Sequence, residues 1–260
     1  MPHGEQELLL QEAKMTNSRL KAQSSRLMNV IILILFISFA SCVLSLESFA
    51  RSVWNGDKTR NVVALTFDDG PKPEYCQPIL DMLDKYGAKA TFFVVGREAN
   101  DNPDLIKRMD DEGDEIGNHT YSHTPAKEMT VGAALSDIQK CSQVVYDITG
   151  KAPKFFRPPG GGINSGISKG IKKMGMKTVF WSLNATDYTD VTPGYEVPED
   201  VKAMAEELTK RVMDKVKPGT IILLHSSSEQ TVRALPLILK ALKEKGYGFV
   251  TMSELVEERI

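Results

Sequence analysis

The sequence predicts an α/β fold in which parallel strands are ringed by helices, preceded by one membrane-spanning segment. Three observations carry that reading. From residue 61 onward, short β-branched and apolar runs alternate with amphipathic runs of helical period. Acidic and histidine side chains stand at the C-terminal ends of the strand-like runs, where α/β sheets place their chemistry. Near the N-terminus, residues 27–46 form an apolar stretch without a charge.

That stretch matches the roughly 20 apolar residues needed to cross a bilayer. Lys14, Arg19, Lys21 and Arg26 precede it, so residues 1–26 are expected in the cytoplasm, 27–46 in the membrane, 47–58 as a linker and 59–258 as one domain outside. Two alternatives stay open: cleavage after Ser48-Phe49-Ala50, or lipidation of Cys42 in the lipoprotein-like Phe39-Ala40-Ser41-Cys42. An uncleaved anchor is preferred, because the apolar core exceeds the roughly 7–15 residues of a signal peptide. The chain's 260 residues suit one catalytic domain of about 200 residues. A net charge of −2 gives no electrostatic case for nucleic acid.

In chain order, Asn61–Phe67 is β-branched and stops at the turn signal Gly70-Pro71. A helix over 75–86 follows, with Ile79, Leu80, Leu83 and Tyr86 on one face. Ala90–Val95 reads as a strand, 102–112 as a helix with Pro103 in its first turn, and 115–118 as a strand. A helix near 130–149 ends at Gly150, and Phe155-Phe156 is a short strand. A helix near 164–174 precedes a strand at 177–181. The loop through Thr192-Pro193-Gly194 leads to a charged helix near 198–216. Strand 220–224, helix 230–245, strand 247–250 and a short helix after Ser253 complete the alternation. Of the three cysteines, Cys76 and Cys141 fall on separate helices and are expected to be free thiols.

Thr66-Phe67-Asp68-Asp69-Gly70 closes the first strand with two adjacent carboxylates, which repel each other and are costly to bury unpartnered. A cation relieves that cost. The chain has four histidines, of which His3 lies in the polar N-terminal segment. His119 and His123, four apart, can converge on one ion across a helical turn or tight loop. His225 ends the run Thr220–Leu224. Singly, each has a plainer reading: a strand-ending turn for the Asp pair, a surface pair for His119 and His123, a satisfied core side chain for His225. Together, each at a strand end, they describe a metal site.

These residues resemble the motifs of the polysaccharide deacetylases that share the NodB homology domain, carbohydrate esterase family 4. Five segments match in the family's order: Thr66–Gly70, His119–His123, Arg157-Pro158-Pro159-Gly160-Gly161, a degenerate Trp181–Tyr188, and Leu223-Leu224-His225. The resemblance spans about residues 58 to 258 and implies a distorted, incomplete (β/α) barrel of NodB type. It further implies that Asp69, His119 and His123 bind a divalent metal, with zinc preferred and cobalt or manganese as alternatives. Asp68 would be the general base, held by Arg157, and His225 the general acid, with Asp187 the carboxylate left in the fourth motif to orient it. Pro159, Gly160, Leu223 and Tyr188 would line the substrate site, Leu223 and the aromatic forming the acetyl-methyl pocket.

Four departures stand out. Gly160 replaces a common Tyr but keeps the backbone N–H of an oxyanion donor. Asn184 and Tyr188 replace Asp and Trp in the fourth motif; were Asn184 the tether, His225 would lose charge favouring its protonated form. Ser226 stands where Asp is common. The expected activity is metal-dependent hydrolysis of the acetamide of N-acetylglucosamine-type residues in a cell-surface polysaccharide. Membrane tethering beside the wall favours peptidoglycan. A chitin-oligosaccharide deacetylase, a sugar O-acetyl esterase and an inactive carbohydrate-binding module are the alternatives.

Overall fold

A computed structural model of the chain describes residues 52–187 and 201–256. Residues 1–26, expected to form a cytoplasmic tail, the apolar segment 27–46, Cys42, Tyr188 and Thr192-Pro193-Gly194 lie outside the described residues. Among the described residues no helix is long and apolar enough to cross a membrane.

Among the described residues, eight strands form one parallel sheet: β1 (Val62–Asp68), β2 (Ala90–Val94), β3 (Glu115–Asn118), β4 (Phe155–Phe156), β5 (Lys177–Thr178), β6 (Leu183–Asn184), β7 (Thr220–His225) and β8 (Gly248–Phe249). Their order is β5-β4-β3-β2-β1-β7-β6, with β8 pairing the start of β1. The helices are α1 (Pro73–Tyr86), α2 (Gly96–Asp101), α3 (Pro103–Asp111), α4 (Val131–Thr149), α5 (Ser165–Lys173), α6 (Val201–Lys215), α7 (Glu229–Glu244) and α8 (Met252–Val256). β5 and β6 are close in sequence yet lie at opposite ends of the sheet, which curls into an incomplete barrel.

Strand alternation sorts the side chains into two cores. Val63, Leu65 and Phe67 of β1 face the helices, together with Phe92, Ile222 and Leu224. Ala64 lies in the inner cluster with Phe93, Phe155, Val179, Ile221, Met252 and Leu255. Each such fully buried large side chain contributes roughly 1.5–3 kcal/mol. The same alternation carries Thr66 and Asp68 to the inner face with Ala64.

Two differences from the sequence reading go beyond a residue or two at the ends of elements. The helix expected over 102–112 is preceded by the separate α2. Pro103 disfavours helical geometry at the residue before it, and Asn102 sits at φ −130°, ψ 56°. The segment 96–101 lacks an apolar stripe, which hid α2. The strand expected at 177–181 pairs with its neighbour only at 177–178; Val179 then bridges Val53, Phe180 N–H donates to the Val53 carbonyl (2.8 Å), and the chain crosses to form β6 against β7. Cys76 and Cys141 are buried free thiols.

Candidate active site

The sheet register assembles the site. β1 and β7 run side by side with Asp68 opposite His225; β2 and β3 bring Asn118 level with Val94, and Phe156, opposite Asn118, leads directly into Arg157. Residues far apart in sequence thus meet at one end of the barrel.

Asp68 is buried, and Arg157 Nη1 donates to its Oδ1 at 2.7 Å and to Thr66 Oγ1 at 2.9 Å. Arg157 is itself fully buried; its Nη2 donates to the Phe180 carbonyl at 3.1 Å, and its guanidinium stacks 4.1 Å from the Phe93 ring. Burial pushes the guanidinium pKa down, and Asp68 partly restores it. The pair keeps either charge from standing alone in the core, where an unpartnered ion costs several kcal/mol.

Asp69 turns away from its neighbour because its backbone adopts φ +73°. Its Oδ1 lies 3.3 Å from His119 Nε2 and 2.9 Å from His123 Nε2. Burial raises the Asp69 pKa, but the two imidazoles outweigh it and hold the carboxyl well below the usual range. His119 is buried, and its Nδ1 sits 2.7 Å from the Arg157 carbonyl. A carbonyl only accepts, so Nδ1 carries a proton there, and Nε2 is the ring nitrogen that faces Asp69. One carboxylate and two imidazoles whose donor atoms all lie within 4.8 Å of one another fit a divalent metal with open positions.

On the other side, His225 Nδ1 and Asp187 Oδ1 are 2.9 Å apart, and the His225 N–H donates to Asp187 Oδ2 at 2.6 Å. Burial pushes the imidazole pKa down; Asp187, helped by the charges of Asp68 and Asp69, more than reverses this and raises it to about 9. Asn184 is not the tether: it is exposed, and its Oδ1 accepts from Thr186 N–H at 2.7 Å.

Sequence reasoning missed several supporting groups. The Thr231 hydroxyl, fully buried on α7, donates to Asp187 Oδ2, and the Ser228 hydroxyl donates to the Asp187 carbonyl at 2.9 Å. Thr231 stands on the same face as Ala234, Leu235, Ile238 and Leu242, so a polar residue on an apolar stripe was the available signal. Ser226, expected only to subtract charge, donates from both N–H (2.8 Å) and hydroxyl (2.9 Å) to the Asp68 carbonyl, joining the ends of β7 and β1. Of the expected substrate residues, Pro159 and Leu223 are buried, Leu223 in register with Asn184. Gly160 is exposed at φ +65°, with nothing within 4 Å of where a Cβ would stand. Tyr188 lies outside the described residues.

Residues 55–179 match the polysaccharide deacetylase family. A peptidoglycan-N-acetylglucosamine deacetylase of Bacillus cereus is 38% identical over 214 residues, covering 81% of this chain and 95% of its own length. The peptidoglycan-N-acetylmuramic acid deacetylase PdaA of Bacillus subtilis is 34% identical, over 78% of this chain and 74% of its own. In three dimensions, a carbohydrate esterase family 4 pseudoenzyme from Bacillus anthracis superposes with a TM-score of 0.71 at 29% identity, over 81% of this chain and 71% of that one. The motif order, the curled parallel sheet and these relatives together establish that the chain belongs to the polysaccharide deacetylases, the hydrolase family built on the NodB homology domain.

Proposed function

We propose that the protein is a metal-dependent N-deacetylase acting on N-acetylglucosamine-type residues of peptidoglycan, releasing acetate. The observation that carries this reading is the sequence of three units across one barrel mouth: the Asp68–Arg157 pair, the Asp69–His119–His123 donor set and the His225–Asp187 pair. A divalent cation in the donor set, zinc foremost, supplies charge that polarises a carbonyl and acidifies water. Asp68 takes the proton of the attacking water as its oxygen bonds to the acetamide carbon. Its Oδ1 is held by Arg157, so Oδ2 is the oxygen for that task. His225, with Nδ1 engaged by Asp187, protonates the amine through Nε2 as the carbon–nitrogen bond breaks. Such positioned proton transfers each contribute about 10²–10⁴-fold. The N–H of Gly160 is the proposed second donor to the oxyanion, and Leu223 with Tyr188 the proposed acetyl pocket. Residues 27–46 are proposed to anchor the domain at the outer face of the membrane, beside the wall.

The test is acetate release by the full chain from purified peptidoglycan and from chitin oligomers, with and without chelator. Chelator-sensitive release with peptidoglycan preferred is expected, and Asp68→Asn should abolish turnover while keeping metal binding. Release that ignores chelator removes the metal mechanism. Glycan binding without any release favours an inactive module, and faster loss of O-acetyl than of N-acetyl groups favours an esterase.

A further inference from the structure

The loop that carries both histidines is mounted on α4 by a residue outside every motif. Between His119 and His123 the backbone is unusual: Thr120 has φ +67° and His123 φ +61°, and a β-branched residue in that region is a genuine outlier. Such conformations cost about 1–3 kcal/mol each and persist only where the surroundings impose them. His119 is secured independently, at the end of β3 and by its bond to the Arg157 carbonyl. His123 is different. Its ring is 38% exposed, its N–H donates to Thr120 Oγ1 at 3.0 Å, and its place depends on the loop's shape.

That shape is imposed from α4. A single oxygen, Asp137 Oδ2, accepts from Tyr121 N–H (3.0 Å), Ser122 N–H (3.1 Å) and the Ser122 hydroxyl (3.1 Å). Two successive backbone N–H groups converging on one anion form a nest, here filled by the chain's own carboxylate, and charge-assisted bonds of this kind are about twice as strong as neutral ones. One turn further on, Lys140 lies 3.6 Å above the Tyr121 ring and packs the same loop against the same helix.

We infer that Asp137 is a positioning residue that presets His123 against Asp69 and His119, so that the donor set is formed before the metal arrives. This rests on the proposed metal site. Removing the carboxylate releases the two N–H groups to water and lets the loop relax, and His123 then has to be ordered on binding. Partners behind metal-binding histidines typically matter by about 10–100-fold in affinity.

The experiment is titration of the metal-free full chain with Co²⁺, read by its d–d absorption, with thermal unfolding of the same metal-free samples. Asp137→Ala should weaken Co²⁺ binding about 10–100-fold. Asp137→Asn, which keeps an acceptor but not the charge, should fall between that and the parent. In a His123→Ala background, Asp137→Ala should add little, because the ligand it positions is gone. Co²⁺ affinity within twofold of the parent in both variants, even with a lower unfolding temperature, overturns the inference and leaves Asp137 a purely structural residue. Should Asp137→Ala not fold, the Asp137→Asn titration decides by the same criterion. A parent chain that binds no Co²⁺ overturns the metal reading and this inference with it, whereas a parent that binds while the variants match it overturns this inference alone.

Discussion

Asp68 and Asp69 share a strand end without sharing an environment, and the backbone is the reason. Asp68 continues the strand alternation into the barrel and meets Arg157 at 2.7 Å, whereas φ +73° at Asp69 turns the next carboxylate to the histidines. The protonation of His225 belongs to the same scale. Its raised pKa, about 9, reflects Asp187 overcoming burial, with Asp68 and Asp69 adding to it. Asp187→Asn keeps the shape and leaves burial opposed by less charge, so the imidazole pKa falls. The proposed acid role of His225 requires its protonated form, so the alkaline limb of the kcat/KM profile should move down by roughly 1–3 pH units. A limb that stays in place would remove His225 as the group that titrates there. The residue types were legible in sequence. Asp187 was also legible as the carboxylate left to orient His225, whereas the turn of Asn184 to the Thr186 N–H was not.

At the scale of elements, helices supply the second layer of support: α4 offers Asp137 to the histidine loop, and α7 offers Thr231 and the preceding Ser228 to Asp187. Asp137 was not legible, because a hydrogen bond between a helix and a distant loop leaves no periodicity, and Thr231 left only a polar residue on an apolar stripe as its signal. The far ends of the strands carry a different feature. Asp114, buried at the start of β3, accepts the Ala90 N–H at the start of β2 (2.8 Å), and burial raises its pKa from 3.8 to about 6 despite that bond. The folded state therefore holds this proton more tightly than the unfolded chain, and its contribution to stability is present below about pH 3.8 and is lost as pH rises through 6. Asp114→Asn retains an acceptor and removes the buried charge. Its unfolding temperature should exceed the parent's at pH 8 and approach it near pH 4; a gap independent of pH would contradict the assignment.

Across the whole domain, the incomplete barrel is laced at its base. Val53 bridges Val179, Gly56 N–H donates to the Gly219 carbonyl at 2.8 Å, and Met252 and Leu255 of α8 enter the inner core. Gly219 has φ +76°, and a Cβ there would come within 2.7 Å of the Asp57 carbonyl oxygen and 2.8 Å of that of Gly56. Gly219→Ala should destabilise the domain by about 2–5 kcal/mol, combining left-handed strain with overpacking. Gly150→Ala provides the control: φ is +73° but the space is open, so strain alone, about 1–2 kcal/mol, is expected. Equal losses in a denaturant titration of the two variants would show that contact at the base contributes nothing.

By itself, the sequence determined the β/α alternation, the family and the residue types that carry the chemistry, because strand and helix periods and short motifs are local properties of the chain. Tertiary structure decided what local pattern cannot express. Register set Asp68 opposite His225, and chain crossing placed β5 and β6 at opposite sheet ends. Packing turned Asn184 away from His225 and recruited Asp137, Thr231 and Ser226, none of which stands in a motif as a catalytic group. The physical reason is common to all of these: a hydrogen bond across 15 to 158 residues of chain is fixed by where the strands and helices come to rest, not by the amino acids beside it.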